Sequence, residues 1–183
     1  MYQPQVTQTL GVYAIPETNP VLPKFATAGS ACFDIHARLH PEHIAYYEGT
    51  TGMPEQKRVD ITNCERKVWV FPGQRVLVPT GLILDIPVGY SVRLHARSGL
   101  ALKSGLVLTN FEGVIDHDYT NELMVMVSNI SSGSGAREIL ITDNMRLCQG
   151  ELVRCVPTDI QWVADRPQRD TRTGGFGSTG VGT

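Results

Sequence analysis

Short runs of Val, Ile and Leu recur along the chain, each closed within a few residues by Gly, Pro or a polar cluster. Apolar runs of this length between turn residues predict strands rather than helices. They fall at residues 9–15, 31–37, 67–71, 74–78, 81–86, 90–95, 123–128, 138–142 and 147–156. Pro72-Gly73 between two runs predicts a tight turn, and Pro87-Val88-Gly89 ahead of Tyr90 predicts another. One segment reads as a helix: Ser98 stands at a capping position, Leu100, Ala101, Leu102 and Lys103 follow, and Gly105 stops it. At about two turns it is too short to hold by propensity and must be held by its surroundings. The expected class is all-β, with the strands packed as a sandwich or barrel.

Two stretches break the pattern. Residues 40–66 are polar and read as an irregular surface insertion between strands, a possible contact for a protein partner. From Asp170 the chain runs DTRTGGFGSTGVGT with no apolar periodicity, so a β domain over 1–169 and a Gly-rich C-terminal arm over 170–183 are expected.

Composition narrows the class further. Gly 18 and Pro 11 in 183 residues suit many turns, and 42% hydrophobic residues suffice for a buried core. Sixteen Lys and Arg against eighteen Asp and Glu give a net charge of −2, which removes the usual electrostatic argument for nucleic-acid binding. No apolar stretch approaches the roughly 20 residues that span a bilayer, so no membrane association is expected. The start has no charged region ahead of an apolar one, and Cys32, Cys64, Cys148 and Cys155 form no C-x-x-C pair. A cytoplasmic protein with reduced thiols is the expectation, or one of a host cell's cytoplasm or nucleus if the source is viral.

Three segments carry candidate chemistry. Gly175-Phe-Gly-Ser-Thr-Gly180 is a literal G-x-G-x-x-G, but only three residues follow it, and it lacks the Lys of a P-loop. Its small residues can still curl backbone N–H groups around an anion, with hydroxyls from Ser178 and Thr179 and one aromatic, Phe176. Asp116 and Asp118 lie two apart in Gly113-Val-Ile-Asp-His-Asp-Tyr119, so on an extended chain both face one way, as metal binding or base catalysis needs. Arg97-Ser98-Gly99 places a guanidinium and a hydroxyl at the mouth of the short helix, a setting that favours phosphate. His36, His40 and His43 straddle a strand end and a Pro and lack the fixed geometry of a zinc motif, and no cysteine has complementary spacing.

Taken in order, these segments resemble the trimeric dUTPase family. Ala28-Gly-Ser-Ala-Cys-Phe-Asp-Ile-His-Ala37 resembles its first motif and Ala96-Arg-Ser-Gly-Leu-Ala101 its second. Asn110-Phe-Glu-Gly-Val-Ile-Asp-His-Asp-Tyr119 resembles the third, Arg146-Leu-Cys-Gln149 the fourth and Gly174-Gly-Phe-Gly-Ser-Thr-Gly180 the fifth. The resemblance implies a jelly-roll-like fold, a three-fold homotrimer with shared active sites, and Mg²⁺-assisted hydrolysis of dUTP to dUMP and pyrophosphate. It implies Asp116 as general base, with Arg97, Ser98, Gly99 and Gln149 on the phosphates, and Asp34 on the magnesium through water. A hairpin from Asn110 to Met124, including Gly113, Val114, Ile115 and Tyr119, is implied as the uracil and deoxyribose pocket. Phe176, Gly177, Ser178 and Thr179 would close over the nucleotide from another subunit's arm, with Arg172 or Arg169 on the γ-phosphate. Ala96 replaces a common Pro, Asn121 a common Gly, and the 40–66 insertion is longer than usual.

Three alternatives stand beside this reading. A dCTP deaminase shares the fold but must direct water at a ring carbon, which needs a differently placed carboxylate. A regulatory nucleotide-binding protein would keep the pocket and act through its insertion. A purely structural β-sandwich gives no reason for Asp116, Arg97 and Phe176 to occur in these motifs together.

Overall fold

A computed structural model describes residues 7–39, 45–47, 54–55, 60–62 and 65–167; within 40–65 only the backbone of the strands is described. Among the described residues the fold is all-β with one short α-helix. Its strands in chain order are β1 (Gly11–Ala14), β2 (Lys24–Phe25), β3 (Phe33–His36), β4 (Ala45–Tyr47), β5 (Pro54–Glu55), β6 (Asp60–Thr62), β7 (Glu65–Val70) and β8 (Arg75–Pro79). There follow β9 (Leu82–Asp85), β10 (Tyr90–Ala96), the helix α1 (Ser98–Ser104), β11 (Leu106–Leu108), β12 (Glu112–Ile115), β13 (Met124–Asn129), β14 (Ile139–Thr142) and β15 (Arg146–Arg154). No described helix is long and apolar enough to cross a membrane.

Two five-stranded sheets, ordered β12-β10-β15-β3-β2 and β11-β13-β8-β4-β5, form the jelly-roll-like sandwich, with smaller sheets β1-β9 and β14-β7-β6 beside them. All the pairings are antiparallel, as expected of strands joined by short turns. Period-two alternation sends Val92 and Leu94 of β10, Val76 and Val78 of β8, and Val125 and Val127 of β13 into one shared core. A register shift between Arg146 and Cys148 lets two successive residues of β15, Leu147 and Cys148, both turn inward. Asn129 is the polar exception, 1% exposed. Its amide donates to the Val70 and Arg137 carbonyls at 2.8 and 2.9 Å, and its oxygen accepts from the backbone N–H and hydroxyl of Ser131. It thereby ties β13 to β7 and to the approach to β14 at no cost in unpaired polar groups.

Sequence expectation and structure part at four places. The 40–66 stretch is not simply irregular: β4 pairs with β8, β5 with β4, and β6 with β7, because short polar strands can add to a sheet edge through the backbone alone. Ser98 is not the helix cap; it is the first helical residue, and Arg97 occupies the extended position before it with no side-chain cap bond. Asp116 and Asp118 do not share a strand face, since β12 ends at Ile115 and a turn follows. The segment from Asn110 to Met124 is not a paired hairpin either. β12 joins β10 in one sheet and β13 joins β8 and β11 in the other, so the segment crosses between the two sheets.

Candidate active site

Strand register gathers one group of the expected residues. Asp34 on β3 lies opposite Gln149 on β15, and Gln149 in turn lies opposite His95 on β10. Arg97 follows the last residue of β10 with extended backbone, which carries its guanidinium out at the same end of the sheet. Arg146 begins β15 opposite His36.

Asp34 is the hub of this group. It is 7% exposed, and a carboxylate buried to that degree requires charged or hydrogen-bonding partners. Arg146 Nη1 donates to its Oδ2 at 3.1 Å, and Arg97 Nε lies 3.6 Å from Oδ1, an ion pair longer than a hydrogen bond. Oδ1 therefore has no hydrogen-bond partner among the described residues. Arg97 Nη1 also donates to the Arg146 backbone carbonyl at 3.0 Å, so Arg97 is tied to the start of β15 as well as to the acid. Arg146 was not singled out from the sequence. Its place in the fourth motif was visible, but its link to Asp34 depends on the β3–β15 register.

Burial, more than the neighbouring charges, holds the His36 imidazole below its usual pKa; Asp34 opposes this, while Arg146 and Arg97 add to it. Its Nδ1 has no hydrogen-bond partner among the described residues. The Cys148 thiol is pushed up to about 12, mainly by burial, and is chemically silent at neutral pH. Cys155 is exposed, Cys32 is half-buried, and Cys64 lies outside the described residues.

Ser98 and Gly99 open α1 and are exposed. A Cβ built on Gly99 meets nothing in this chain within 4 Å, whereas one on Gly113 would come within 2.9 Å of Leu94. The glycine at 113 is thus required by internal packing, and the one at 99 is not. α1 ends as expected, with Gly105 at φ 72° returning its N–H to the Ala101 and Leu100 carbonyls.

The other group stands elsewhere. Asn110 lies exposed in the turn before β12; Val114 is exposed, Ile115 half-buried and Gly113 buried along it; Met124 opens β13 half-buried. Asp116 is exposed in the turn after β12, and its carboxylate has no partner among the described residues. The Tyr119 hydroxyl donates to the Glu122 carbonyl at 3.0 Å and its N–H to the Asp116 carbonyl at 3.2 Å. Glu122 is itself held by the Gly81 N–H at 2.7 Å, so the turn is fastened to the body of the sandwich.

The two groups do not meet within one chain. Ile115 pairs with Val92, so Asp116 is level with Ser91, six positions along β10 from Arg97. At about 3.3 Å per residue that is about 20 Å. Arg172, Phe176, Gly177, Ser178 and Thr179 lie outside the described residues.

Fold and site together define a class: an all-β jelly-roll that presents paired arginines and a buried carboxylate at one end of a strand and a free carboxylate at the other. A family model described as dUTPase matches residues 59–180. The chain is 34% identical over 174 residues to the deoxyuridine 5'-triphosphate nucleotidohydrolase of Brucella melitensis, covering 94% of each. It is 36% identical to that of Roseobacter denitrificans over 165 residues, covering 90% of each. The chain belongs to the dUTPase family. Among solved structures it resembles the dUTPase of Staphylococcus bacteriophage 80alpha with dUpNHpp, at TM-score 0.70 and 20% identity, over 96% of this chain and all of that one. It also resembles the dUTPase of phage phi11 of S. aureus, described with a structural Mg(II) ion, at TM-score 0.64 and 19% identity, over 86% of this chain and 98% of that one.

Proposed function

We propose that this protein hydrolyses dUTP to dUMP and pyrophosphate in a homotrimer whose active sites are each assembled from more than one copy. The observation that carries the shared site is the separation of about 20 Å along β10 between Asp116 and Arg97. A base and the phosphate-binding cations of one reaction have to lie within a few ångströms of the same phosphorus. Asp116 of one copy therefore works with Arg97, Arg146 and Gln149 of another, a head-to-tail arrangement that closes by three-fold symmetry.

In the reaction, water attacks the α-phosphorus as Asp116 takes its proton, and the bond from that phosphorus to the oxygen bridging to the β-phosphate breaks. Pyrophosphate leaves with the bond electrons. The Arg97 and Arg146 guanidiniums, with the Gln149 amide, stabilise the charge that develops on the phosphate oxygens. The open space at Gly99 supports close approach of a phosphate to the Ser98-Gly99 backbone. Asn110, Val114, Ile115 and Met124 line the uracil side, with Tyr119, steadied through Glu122, against the deoxyribose. The arm over residues 170–183 closes on the nucleotide, Phe176 stacking on the base and Arg172 or Arg169 meeting the γ-phosphate.

The residues present fit a magnesium ion. The buried Asp34 Oδ1 has unused acceptor capacity and suits a hydrogen bond from a water of that ion, which keeps several of its waters. Bound to the triphosphate, Mg²⁺ supplies charge neutralisation.

The test is pyrophosphate release by the purified protein with Mg²⁺, comparing dUTP, dTTP, UTP and dCTP. Release from dUTP alone, abolished by Asp116→Asn, is the expected result; silence on dUTP contradicts the reading.

A further inference from the structure

Three chemically different ligand atoms converge on the polar face of the β12-β10-β15-β3-β2 sheet. The Cys32 Sγ, a ring nitrogen of His95 and a carboxylate oxygen of Glu151 all lie within 4.8 Å of one another, and all three residues are half-buried. Antiparallel register brings them together. His95 sits on β10 and Glu151 on the adjacent β15. Cys32 immediately precedes Phe33, whose partner on β15 is Gly150, the neighbour of Glu151.

The histidine is bonded on one side and faces a carboxylate on the other. Its Nε2 lies 3.2 Å from Glu151 Oε2, on the side of the cluster. Its Nδ1 lies 4.0 Å from Glu112 Oε1, and Glu112 is held in turn by Arg93 at 3.5 Å. One nitrogen faces the ligand cluster and the other lies within ion-pair range of a carboxylate; shortening that contact to a hydrogen bond is what would fix a metal-bound imidazole in tautomer and direction. The donor set selects among metals. A thiolate with an imidazole and a carboxylate suits Zn²⁺, whereas Mg²⁺ takes oxygen ligands. Tetrahedral zinc sets its ligand atoms about 3.5 Å apart, so a spacing of at most 4.8 Å has to shorten by about 1 Å.

We propose that Cys32, His95 and Glu151 form a three-ligand zinc site on this sheet face, with Glu112 orienting His95 and a fourth position open to water. It is separate in chemistry from the phosphate-binding group, sharing strands with it but none of its residues. Sequence spacing hides it, since the ligands stand at 32, 95 and 151 and only the sheet brings them together.

The test is titration of the chelator-stripped full chain with Co²⁺, followed by optical absorption, with Zn²⁺ added as competitor. One Co²⁺ per chain is expected, with the d–d bands of a tetrahedral site and a thiolate-to-cobalt charge-transfer band, all displaced by Zn²⁺. Cys32→Ser should remove the charge-transfer band, while Cys64→Ser and Cys155→Ser keep it. Glu151→Gln and His95→Gln should weaken Zn²⁺ binding at least tenfold. Thermal melting of each metal-free variant verifies that it is folded. A wild-type protein with no charge-transfer band at excess Co²⁺, or a band that survives Cys32→Ser, overturns the site.

Discussion

The two ends of β10 are built differently. At its C-terminal end, Asp34 is buried, bonded to Arg146 and paired with Arg97, and Arg97 is tied to the Arg146 carbonyl. At its N-terminal end, Asp116 stands exposed on a turn with no partner for its carboxylate among the described residues. The first group is held by its own chain; under the proposed function its cations are set before a ligand arrives, and electrostatic stabilisation depends on that. The second has a fixed backbone, fastened through Tyr119 and Glu122, but a free functional group. Under the proposed function, a single chain builds two halves of a site and keeps them apart, and association of copies joins them.

The contrast is tested most strongly at the free end. Asp116→Asn should lower dUTP turnover by about 10²–10⁴-fold, the usual range for loss of a general base. Because that carboxylate has no partner among the described residues to lose, the melting temperature should stay where it was. A fall in stability comparable to the fall in rate would erase the distinction between the two ends.

At the preorganised end, rate and stability should fall together. Asp34→Asn removes the charge that pairs both arginines, and the loss of hydrogen bonding to a charged group costs about 1–2 kcal/mol in this partly screened setting. Denaturant unfolding measures that cost, and kcat/KM for dUTP should fall alongside it as Arg97 and Arg146 lose their anchor. Unchanged stability would mean that the cluster is not preorganised by its acid.

Thiol reactivity gives a smaller, sharper contrast on the same sheet. Alkylation of the native protein, followed by peptide mass spectrometry, should label exposed Cys155 and spare Cys148, whose thiol is pushed up to about 12 by burial. Equal labelling of the two would show that the β15 core opens readily.

The smallest effect concerns His36. Its folded pKa lies below the unfolded value of about 6.5, so the unfolded chain binds the proton more tightly. Stability should be complete above that pH and decline as pH falls through it toward the folded value. His36→Gln should flatten this part of the pH–stability curve. A slope that persists in the variant would assign it to another group.

Much of the frame could be read from the chain. The apolar runs at 90–95 and 123–128 became β10 and β13 within a residue or two, because alternation over five or more positions is unambiguous. β11, β12 and the strands inside 40–66 were missed because their apolar stretches are three residues or shorter and their pairing rests on the backbone. Asp34, Arg97, Gln149 and Asp116 were legible as motif members. Their division into a bonded group and a free one was not, since it depends on where β12 pairs along β10. Asn129 left no signal at all, as the four hydrogen bonds of its side chain come from segments remote in sequence or from a local turn.

The shared site is tested most directly by mixing two inactive variants. Asp116→Asn and Arg97→Ala should each be inactive alone, and unfolding and refolding them together in equal amounts allows mixed trimers to form. If Asp116 of one copy serves the Arg97 of another, random assortment restores about a quarter of the sites, and dUTP hydrolysis should return to about that fraction of the wild-type rate. Activity no greater than the sum of the two parents, in mixtures shown to contain mixed trimers, would contradict a site shared between copies.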